Sequence, residues 1–432
     1  MNSSDLKFYQ ASDLKPSHKQ RIVITMSNFK KSIAVFFGGR SPEHDVSVVT
    51  GLQILSAIDT EKYEAFPVYI STEGEWLVGD ILAERASYML NADRRKQVRA
   101  VTLDLKPGKR AQLVPLKTGL LGNMKPIEFD VAVPSFHGLY GEDGNIQGLF
   151  EFAGVPYAGM RTMGSSVLMD KGATKKVLQG AGIPVLPYAM IYRPHSGYMI
   201  AEDELKDTLG DIAFPCIVKP SHLGSSIGVA KANSIEELRA SLPGVFEFDD
   251  AAIVEPFVEN LVEYNVSVSK AFDGLRTSAI ERPKATDELL DFKQKYLSGS
   301  DSKTGDKTGG TKVVGAISEG MLSLTRELNP ELDEETILNI KRWAKTMFKA
   351  VEGTGAPRID FIGNSKSGEL WLNEVNPWPG SIGYFLWEAA ADPILFTDFM
   401  TGLIEEAITE RKKRNMPKDP VPAEARLLER KG

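Results

Sequence analysis

The sequence has a single cysteine, and its apolar runs are short. Cys216 lies in an apolar run, where one thiol cannot form an internal disulfide and is usually inert core. No run approaches the roughly 18 apolar residues of a membrane span, and residues 1–20 lack the apolar core of a signal peptide. We therefore expect a cytoplasmic protein without a membrane partner.

The sequence also lacks an excess of positive charge. The 432 residues carry a formal net charge of −7, which argues against a nucleic-acid surface but leaves local phosphate sites open. With 42% hydrophobic and 25% charged residues, the composition is that of an ordinary globular protein. At roughly 150 residues per domain, the length predicts two to three domains.

Strand and helix patterns alternate from the first apolar run onward. Ser32–Phe37 predicts a buried strand that ends at two glycines, Ser47–Ile58 has helical spacing, and Ala65–Ile70 predicts a second strand. This order favours a parallel sheet covered by helices. Residues 80–125 are rich in Lys and Arg, and we interpret them as a solvated, charged insert with two short strand-like runs.

Later patterns are less regular. Gly164–Gly180 predicts one helix, and Phe214–Lys219 and Ala230–Ala232 predict strands on either side of a Gly/Ser segment, as in a hairpin. Asp333–Val351 predicts an amphipathic helix with an acidic N-terminus. Leu297–Thr311 is too rich in Gly, Ser and Asp to pack, and we interpret it as a mobile loop of the kind that closes active sites.

Two predicted strands near the C-terminus carry polar side chains at a spacing of two. Alternation places Arg358 and Asp360 on one face of their strand, and Glu374 and Asn376 on one face of theirs. If the strands pair, three oxygen-bearing side chains meet an arginine, and magnesium prefers such hard oxygen ligands. A surface ladder of salt bridges is the alternative, and spacing alone leaves both open.

The segment Lys219–Gly228 (KPSHLGSSIG) joins a lysine at a strand end to a loop of small residues. Closely spaced backbone N–H groups in such a loop form a concave site for anions. The segment lacks the Walker pattern, so it is not a P-loop. Composition alone does not distinguish a phosphate site from an ordinary flexible hairpin tip.

Two other glycine-containing loops follow predicted strands. Ser135–Gly148 (SFHGLYGEDGNIQG) lies where the carboxyl end of a strand places a binding loop, but a lone histidine such as His137 is more often structural than catalytic. In Gly38–Ser47 (GGRSPEHDVS), Glu43 and Asp45 either cap a helix or place a carboxylate where it receives an ammonium group.

The segments that carry this chemistry occur in a fixed order. They are FFGGRSPEHDVS, HGLYGEDGNIQGLFEFAGVPYAG, MDKGATKKVLQGAGIP, FPCIVKPSHLGSSIG, DFKQKYL and RIDF…LNEVN-x-x-PG. Together, from about Ile33 to about Trp378, they resemble the D-alanine–D-alanine ligases of the ATP-grasp superfamily. Any one segment can occur by chance, so the strength of the resemblance lies in the series.

The resemblance implies an α/β and α+β architecture, the ATP-grasp fold, in which an N-terminal parallel-sheet domain precedes two α+β domains that clamp ATP. The implied divisions are a flexible N-terminal arm (1–30), an N-terminal α/β substrate domain (31–160), a central ATP-grasp domain (161–266), a C-terminal ATP-grasp domain (267–411) with a lid loop (297–311), and a charged tail (412–432).

The resemblance also implies an enzyme that joins two D-alanines through an acyl phosphate, giving D-alanyl-D-alanine, ADP and phosphate for peptidoglycan synthesis. Glu43 would bind the ammonium of the first amino acid, and Arg358 with the N–H of Gly380 would stabilise the oxyanion. The implied catalytic set is Glu43, Ser225, Tyr296, Arg358 and Gly380. The implied substrate contacts are Glu43, His137, Glu142 and Ser381.

ATP and two magnesium ions are the implied cofactors, with Mn²⁺ as an alternative ion. The implied ATP contacts are Lys171, Lys219, Ser225, Ser226, Glu255, Glu263 and Lys295. The implied metal ligands are Asp360, Glu374 and Asn376. The implied partners are small amino-acid substrates and a second copy of the chain in a homodimer, with no nucleic acid.

The sequence departs from the family after Gly380, where it reads SIGYFLW (Ser381–Trp387). By resemblance, this turn contacts the carboxylate of the second substrate, so ligation to a different amino acid or to a hydroxy acid is the alternative reaction. Tyr296 favours an amine as nucleophile. A nucleotide-binding regulatory module and a pure interaction protein are the alternatives outside enzymes, and the complete set of lysines and carboxylates argues against both.

Overall fold

The computed structural model describes residues 30–88, 92–116, 125–224, 227–283 and 326–414. The described residues from Lys31 onward belong to one structural unit. Within the described ranges, strands form sheets of seven, four and five strands. No helix in these ranges combines the length and the apolar character needed to cross a membrane.

The N-terminal sheet contains β1 (Lys31–Gly38), β2 (Tyr63–Ile70), β3 (Trp76–Val78), β4 (Arg99–Leu103), β5 (Ala111–Pro115), β6 (Ile127–Phe129) and β7 (Val131–Pro134). Its order is β6-β5-β4-β3-β2-β1-β7. β1 runs parallel to β2 and β7, and the pairs from β2 to β6 are antiparallel. The predicted parallel sheet is therefore confirmed at one end, and an antiparallel extension completes it.

The extension corrects our interpretation of residues 80–125 as a solvated insert. Val101, Leu103 and Leu113 of this segment are buried in the core of the sheet. The charges lie on the outside, where Arg110 pairs with Glu128 and Asp130. Because strand side chains alternate between faces, few apolar residues suffice to bury one side, and the abundant cations masked that pattern.

Helices cover both faces of the N-terminal sheet. α1 (His44–Ala57) lies on one face with Val48 and Ile54 in the core, and α3 (Asn145–Ala153) covers the other with Phe150. Between β3 and β4 the chain forms two short 3-10 turns and the single-turn helix α2 (Ala92–Arg95). β1 is consequently buried from both sides, as its unbroken apolar run predicted.

The predicted helix at Gly164–Gly180 is two helices, α4 (Thr162–Met169) and α5 (Lys171–Gly180). The break falls at Asp170, whose carboxylate accepts hydrogen bonds from the N–H groups of Gly172 and Ala173 and so caps α5. An aspartate stabilises a helix start in this way because the first N–H groups of a helix have no partner within it. Lys171 therefore occupies the first position of α5.

The second sheet contains β8 (Ala189–Tyr192), β9 (Cys216–Pro220), β10 (Ala230–Ala232) and β11 (Ala251–Pro256), with the helices α6 (Glu202–Leu209) and α7 (Ile235–Phe246). Its order is β10-β9-β11-β8, with all pairs antiparallel. Ala230 pairs with Val218, which confirms the predicted hairpin around the Gly/Ser segment. Cys216 is buried in this core, as expected.

The third sheet contains β12 (Leu261–Ser269), β13 (Arg276–Pro283), β14 (Arg326–Leu328), β15 (Arg358–Asn364) and β16 (Leu370–Asn376). Its order is β14-β13-β12-β15-β16. The predicted amphipathic helix is α8 (Glu334–Ala350), capped by Asp333 and packed on this sheet through Ile340 and Met347.

The chain then returns to the N-terminal sheet. The short helix α9 (Tyr384–Glu388) and the closing helix α10 (Phe396–Lys413) follow β16. Trp387, Phe399 and Leu403 lie in the same apolar cluster as Phe37 of β1 and Val133 of β7. The turn between β16 and α9 is thereby held close to α1, which brings parts of all three sheets around one cleft.

Candidate active site

Arg358, Asp360, Glu374 and Asn376 lie together on the antiparallel pair β15–β16. The register places Asn376 opposite Arg358 and Glu374 opposite Asp360, as alternation predicted. The Arg358 guanidinium donates from Nε and Nη2 to the two Asp360 oxygens, each at 2.7 Å. Asn376 Nδ2 donates to Asp360 Oδ2 at 2.9 Å. The four side chains form one polar edge of the third sheet.

This polar edge fits a divalent cation. It offers two carboxylates and an amide oxygen, the hard ligands that Mg²⁺ accepts. Burial raises the pKa of Asp360, and the charge of Glu374 adds to that effect while Arg358 opposes it. A cation between the carboxylates would relieve their mutual repulsion. Elsewhere in the described ranges, a candidate group of metal ligands occurs at His222, Asp249 and Asp250.

Two lysines, one on α5 and one on β9 of the second sheet, approach this polar edge. Lys171 Nζ lies 3.8 Å from Glu374 Oε2. Lys219, near the end of β9, places its Nζ 2.8 Å from Glu255 Oε2 and donates to Asn373 Oδ1 at 3.1 Å. Cations from α5 and the second sheet therefore face oxygen ligands from the third sheet, the combination that binds a phosphate chain with its metal.

The Gly/Ser loop after Lys219 is anchored to the start of α5. Lys171 N donates to Ser221 O at 3.1 Å, and Ser221 Oγ donates to Asp170 Oδ1 at 3.0 Å. The Lys171 ammonium also donates to Leu223 O. The position of the loop is thus coupled to that of a candidate phosphate-binding lysine.

His222 completes this anchor, and sequence reasoning did not identify it. Its backbone N–H and its Nδ1 contact the Asp249 carboxylate at 2.7 and 2.8 Å, and its Nε2 lies 3.6 Å from Asp170 Oδ2. The carboxylates of Asp170 and Asp249 raise the pKa of His222 to about 10. His222 therefore links Asp170, the cap of α5, to Asp249, which precedes the strand β11.

Lys175 is a second residue that sequence reasoning missed. It follows Lys171 by four residues, the spacing that places side chains on one helix face, so the signal was present. Its ammonium forms an ion pair with Glu255 Oε1, and both side chains are buried. Glu255 was expected to contact the nucleotide directly, and the structure places it between Lys175 and Lys219.

Glu43 lies at the opposite side of the cleft. It precedes α1 but forms no side-chain capping hydrogen bond, which removes the interpretation of Glu43 as a helix cap. A Cβ added at Gly138 would lie 2.5 Å from Glu43 Oε2, and one added at Gly224 would lie 3.8 Å from both Glu43 oxygens. The carboxylate therefore faces the loop of His137 and the Gly/Ser loop, with both approaches open because each residue is glycine.

His137 and Glu142 hold the turn that follows β16. His137 Nδ1 contacts Trp378 O at 3.0 Å. Glu142 Oε1 accepts the Trp378 N–H and Glu142 Oε2 accepts the Gly138 N–H, each at 2.8 Å. The N–H and the carbonyl group of Trp378 are thus both held by one loop. The side chains of His137 and Glu142, which we expected at the substrate mouth, are buried beside Trp378.

Burial shifts the pKa values of His137 and Glu142 in the directions that favour their uncharged forms. Burial lowers the pKa of His137 to about 4. Burial also raises the pKa of Glu142 to about 8, with a further contribution from the nearby charge of Glu43. Near neutral pH both groups are therefore uncharged in the folded protein, since the low dielectric disfavours the charged form of each.

The turn itself has an unusual backbone. Ser381, Ile382 and Gly383 have φ values of 50°, 48° and 60°, a region that side chains with a Cβ rarely adopt and that is least favourable for β-branched residues. The Ser381 N–H donates to Thr50 Oγ1 at 3.2 Å, and Thr50 Oγ1 lies 3.0 Å from His137 Nε2. This network and the burial of the Ile382 side chain hold the strained turn beside α1.

Four predicted site residues, Ser225, Ser226, Lys295 and Tyr296, lie outside the described residues, as does the predicted lid 297–311. Glu263 is on β12, two residues from Asn265, which pairs with Asp360 in register. Gly380 begins the strained turn, and a Cβ there would lie 4.0 Å from Val46 of α1.

Comparisons with known proteins show which family this chain is similar to. The family described as D-ala D-ala ligase N-terminus matches residues 32–160, and D-ala D-ala ligase C-terminus matches 177–313 and 321–405. The D-alanine–D-alanine ligase of Thermosipho africanus is 33% identical over 389 residues, covering 89% of this chain and 95% of the relative. That of Staphylococcus epidermidis is 31% identical over 393 residues, covering 89% and 98%.

Solved structures share the fold. The D-alanine–D-alanine ligase from Coxiella burnetii superposes with a TM-score of 0.68 at 24% identity, covering 89% of this chain and 96% of that chain. VanG D-Ala:D-Ser ligase from Enterococcus faecalis superposes with a TM-score of 0.66 at 24% identity, covering 88% and 99%.

The architecture and the family matches define an ATP-dependent ligase with the ATP-grasp fold. The two family matches span most of the chain, and the similarity to the curated relatives extends over nearly their whole length. This chain belongs to the D-alanine–D-alanine ligase family.

Proposed function

We propose that this chain joins two D-alanines at the expense of ATP, giving D-alanyl-D-alanine, ADP and phosphate. The observation that carries the proposal is the central position of the Gly/Ser loop. Gly224 of the loop lies beside Glu43, and Leu223 accepts a hydrogen bond from Lys171, which approaches Glu374. A carboxylate suited to an ammonium group and a phosphate-binding region thus share one loop.

The chemistry requires this proximity. A carboxylate resists attack by an amine because oxide is a poor leaving group. Transfer of the γ-phosphoryl group of ATP to a carboxylate oxygen releases ADP and gives an acyl phosphate. Attack of the second amine on its carbonyl carbon then forms the amide and expels phosphate. Holding the reactants together is the main contribution a protein makes to such a reaction.

Glu43 binds the ammonium of the first D-alanine and turns its carboxylate toward the phosphates. Lys171 and Lys219 contact the phosphate chain of ATP, and Glu263 contacts its ribose. Buried cations of this kind offset negative charge strongly because little water competes with them.

Arg358 and the N–H of Gly380 stabilise the oxyanion formed when the amine attacks. One such donor contributes roughly 3 kcal/mol to the transition state when it is already oriented. The turn that carries Gly380 is held by His137 and Glu142 through Trp378, so orientation of the donor is built into the substrate domain.

Asp360, Glu374 and Asn376 are the residues that would hold two magnesium ions, with manganese as an alternative. When bound, these ions neutralise charge on the transferring phosphoryl group. We also propose that part of the chain closes over ATP and keeps water from the acyl phosphate. The residues proposed for this role are Ser225, Ser226, Lys295, Tyr296 and the segment 297–311.

D-Alanine is the proposed nucleophile, and the pocket for it is bounded by the turn at Ser381. The fold alone does not select this substrate, since a D-Ala:D-Ser ligase shares it. We further propose a homodimer in the cytoplasm that supplies peptidoglycan precursors, a location that the single buried thiol suits.

A competition assay tests the reaction. The protein is incubated with ATP, Mg²⁺ and an equimolar mixture of D-alanine, D-serine, D-lactate and several L-amino acids, and products are identified by mass spectrometry. We expect D-alanyl-D-alanine as the main product, with equimolar phosphate. Another dipeptide or a depsipeptide formed without D-alanyl-D-alanine would contradict the substrate assignment and leave the reaction class intact.

A further inference from the structure

Lys175 is a fully buried cation to which the proposed reaction gives no role. Its side chain is 1% exposed, although lysine is rarely buried without a partner. Its ammonium pairs with Glu255 Oε1 and lies 5.7 Å from the centre of the Tyr188 ring. Burial lowers the pKa of Lys175, and the adjacent charge of Glu255 opposes that effect.

Glu255 bridges Lys175 to the phosphate-binding lysine. Its Oε1 pairs with Lys175, and its Oε2 lies 2.8 Å from Lys219 Nζ. Burial opposes the negative charge, but Lys219 and Lys175 hold the pKa of Glu255 down to about 2. The carboxylate is thus a permanent anion between two ammonium groups, and each of its oxygens serves a different lysine.

We propose that Lys175 is a positioning residue for ATP, acting through Glu255 on Lys219. Because Lys175 occupies one oxygen of Glu255, Lys219 is held by the other oxygen alone. The three groups then carry one net positive charge, which Lys219 presents to the nucleotide. Without Lys175, Glu255 would cancel the charge of Lys219, and the phosphate chain would meet a neutral pair.

Asn373 supports this assignment. Its side-chain oxygen accepts a hydrogen bond from Lys219 at 3.1 Å, so Asn373 of the third sheet and Glu255 of the second sheet together fix the position of the ammonium. The neighbouring Glu374 is a proposed metal ligand. The inference rests on the proposed ATP site and identifies the residue that keeps this site positive and ordered.

A purely structural role for Lys175 makes a different prediction. Loss of a buried ion pair would lower stability and affect both substrates alike. Charge positioning instead predicts a selective loss of nucleotide affinity. The two roles are therefore distinguished by comparing the change in the KM for ATP with the change in the KM for D-alanine. Calorimetry measures the affinity for a non-hydrolysable ATP analogue independently.

Lys175→Met removes the charge and keeps an unbranched chain. We expect the KM for ATP and the Kd of the analogue to rise about tenfold, the scale of one hydrogen bond to a charged group. The KM for D-alanine should change less than about twofold. Lys176→Met is the matched control, because Lys176 is the next residue of α5 and is exposed, and it should leave all three constants unchanged.

The double variant Lys175→Met/Glu255→Gln tests the charge directly. It removes one cation and one anion, so the net positive charge at Lys219 returns, and we expect the Kd of the analogue within about threefold of the wild-type value. The double variant also leaves no unpaired carboxylate, which keeps the test available if Lys175→Met alone does not fold.

Three results would overturn the inference. Lys175→Met could bind the analogue as the wild type does, its D-alanine KM could rise as much as its ATP KM, or the double variant could bind no better than the single variant. Absence of analogue binding and of dipeptide synthesis in the wild-type protein is a separate result, which would remove the proposed function together with this inference.

Discussion

The two sides of the cleft use burial in opposite ways. Around Trp378, burial lowers the pKa of His137 to about 4 and raises that of Glu142 to about 8, so both side chains are neutral near pH 7. Around Lys219, Glu255 is equally buried but has a pKa of about 2, because two ammonium groups surround it.

The difference lies in the supply of counter-ions. The amino-acid side of the cleft satisfies its buried polar groups with backbone hydrogen bonds, which fix the geometry of a turn without leaving charge. The nucleotide side satisfies them with ion pairs that contain more cations than anions. A dry site for a polyanion must keep its charge, whereas a site that orients a small zwitterion needs one anion, Glu43, and rigid walls.

The largest expected effect is at the carboxylate edge of the nucleotide side. Glu374→Gln replaces a charged oxygen ligand by a neutral amide, so we expect ATP turnover to fall at least a hundredfold, on the order of several kcal/mol of transition-state stabilisation. Phosphate release at limiting Mg²⁺ measures it. Thermal unfolding should show an intact fold. Near-normal turnover of this variant would place the metal elsewhere.

Glu142→Ala attacks the neutral side. It leaves the buried N–H groups of Gly138 and Trp378 without acceptors, and we expect a loss of about 3 kcal/mol in the free energy of unfolding. Urea denaturation measures this loss. The KM for D-alanine should rise more than that for ATP, and equal changes in both would argue against a turn that serves the amino-acid side alone.

The same residue gives a pH signature. Since the pKa of Glu142 rises from 4.5 in the unfolded chain to about 8 in the folded protein, the folded state binds the proton more tightly, and stability falls as pH rises from about 4.5 to 8. Glu142→Gln should remove this part of the pH dependence. An unchanged slope in the variant would show that Glu142 is ionised in the folded protein at neutral pH.

Thr50→Val is a smaller change to the same network. Valine keeps the shape of threonine but leaves the Ser381 N–H and His137 Nε2 unpaired, so we expect a loss of about 1–2 kcal/mol in unfolding free energy. Assays that titrate each D-alanine site should show a several-fold weaker second site and an unchanged first site. A change confined to the first site would separate Thr50 from the turn.

The smallest effect is expected at His222. Its pKa is 6.5 in the unfolded chain and about 10 in the folded protein, so its stabilisation is complete below pH 6.5 and is lost as pH rises to 10. Because the side chain is about one-third exposed, solvent screening limits the contribution to less than about 1 kcal/mol. His222→Gln should therefore destabilise the protein at pH 6 and have no effect near pH 10, as measured by urea denaturation at both values.

What the sequence predicts correctly is local. The pairing of Asp360 with Glu374 follows from two-residue alternation on strands joined by a short turn, and the hairpin around the Gly/Ser loop follows from its flanking apolar runs. The break between α4 and α5 was missed although Asp170 is a typical capping residue, because the helical periodicity continues across it. The lysine pair at 171 and 175 carried a helical signal that we did not connect to a buried carboxylate.

The remaining site contacts depend on tertiary structure. His137 and Trp378 are 241 residues apart. A local sequence pattern does not relate positions at such a distance. The antiparallel extension β3–β6 depends on pairing to a parallel core, and its cations hid the apolar face. The left-handed turn at Ser381 and Ile382 has no local signature, since neither residue favours that backbone, and packing against α1 must impose it.

The closing helix α10 has a consequence for the order of synthesis. Phe399 and Leu403 complete the apolar cluster that contains Phe37 and Val133. The N-terminal sheet therefore receives part of its core from a helix that is synthesised long after its strands. Until α10 has been synthesised, the face of the first sheet that carries Phe37 and Val133 remains uncovered. The second sheet is covered by α6 and α7, which lie close to it in the sequence. The core of the second sheet can therefore form before α10 is synthesised, whereas one face of the first sheet is completed only when α10 packs against it.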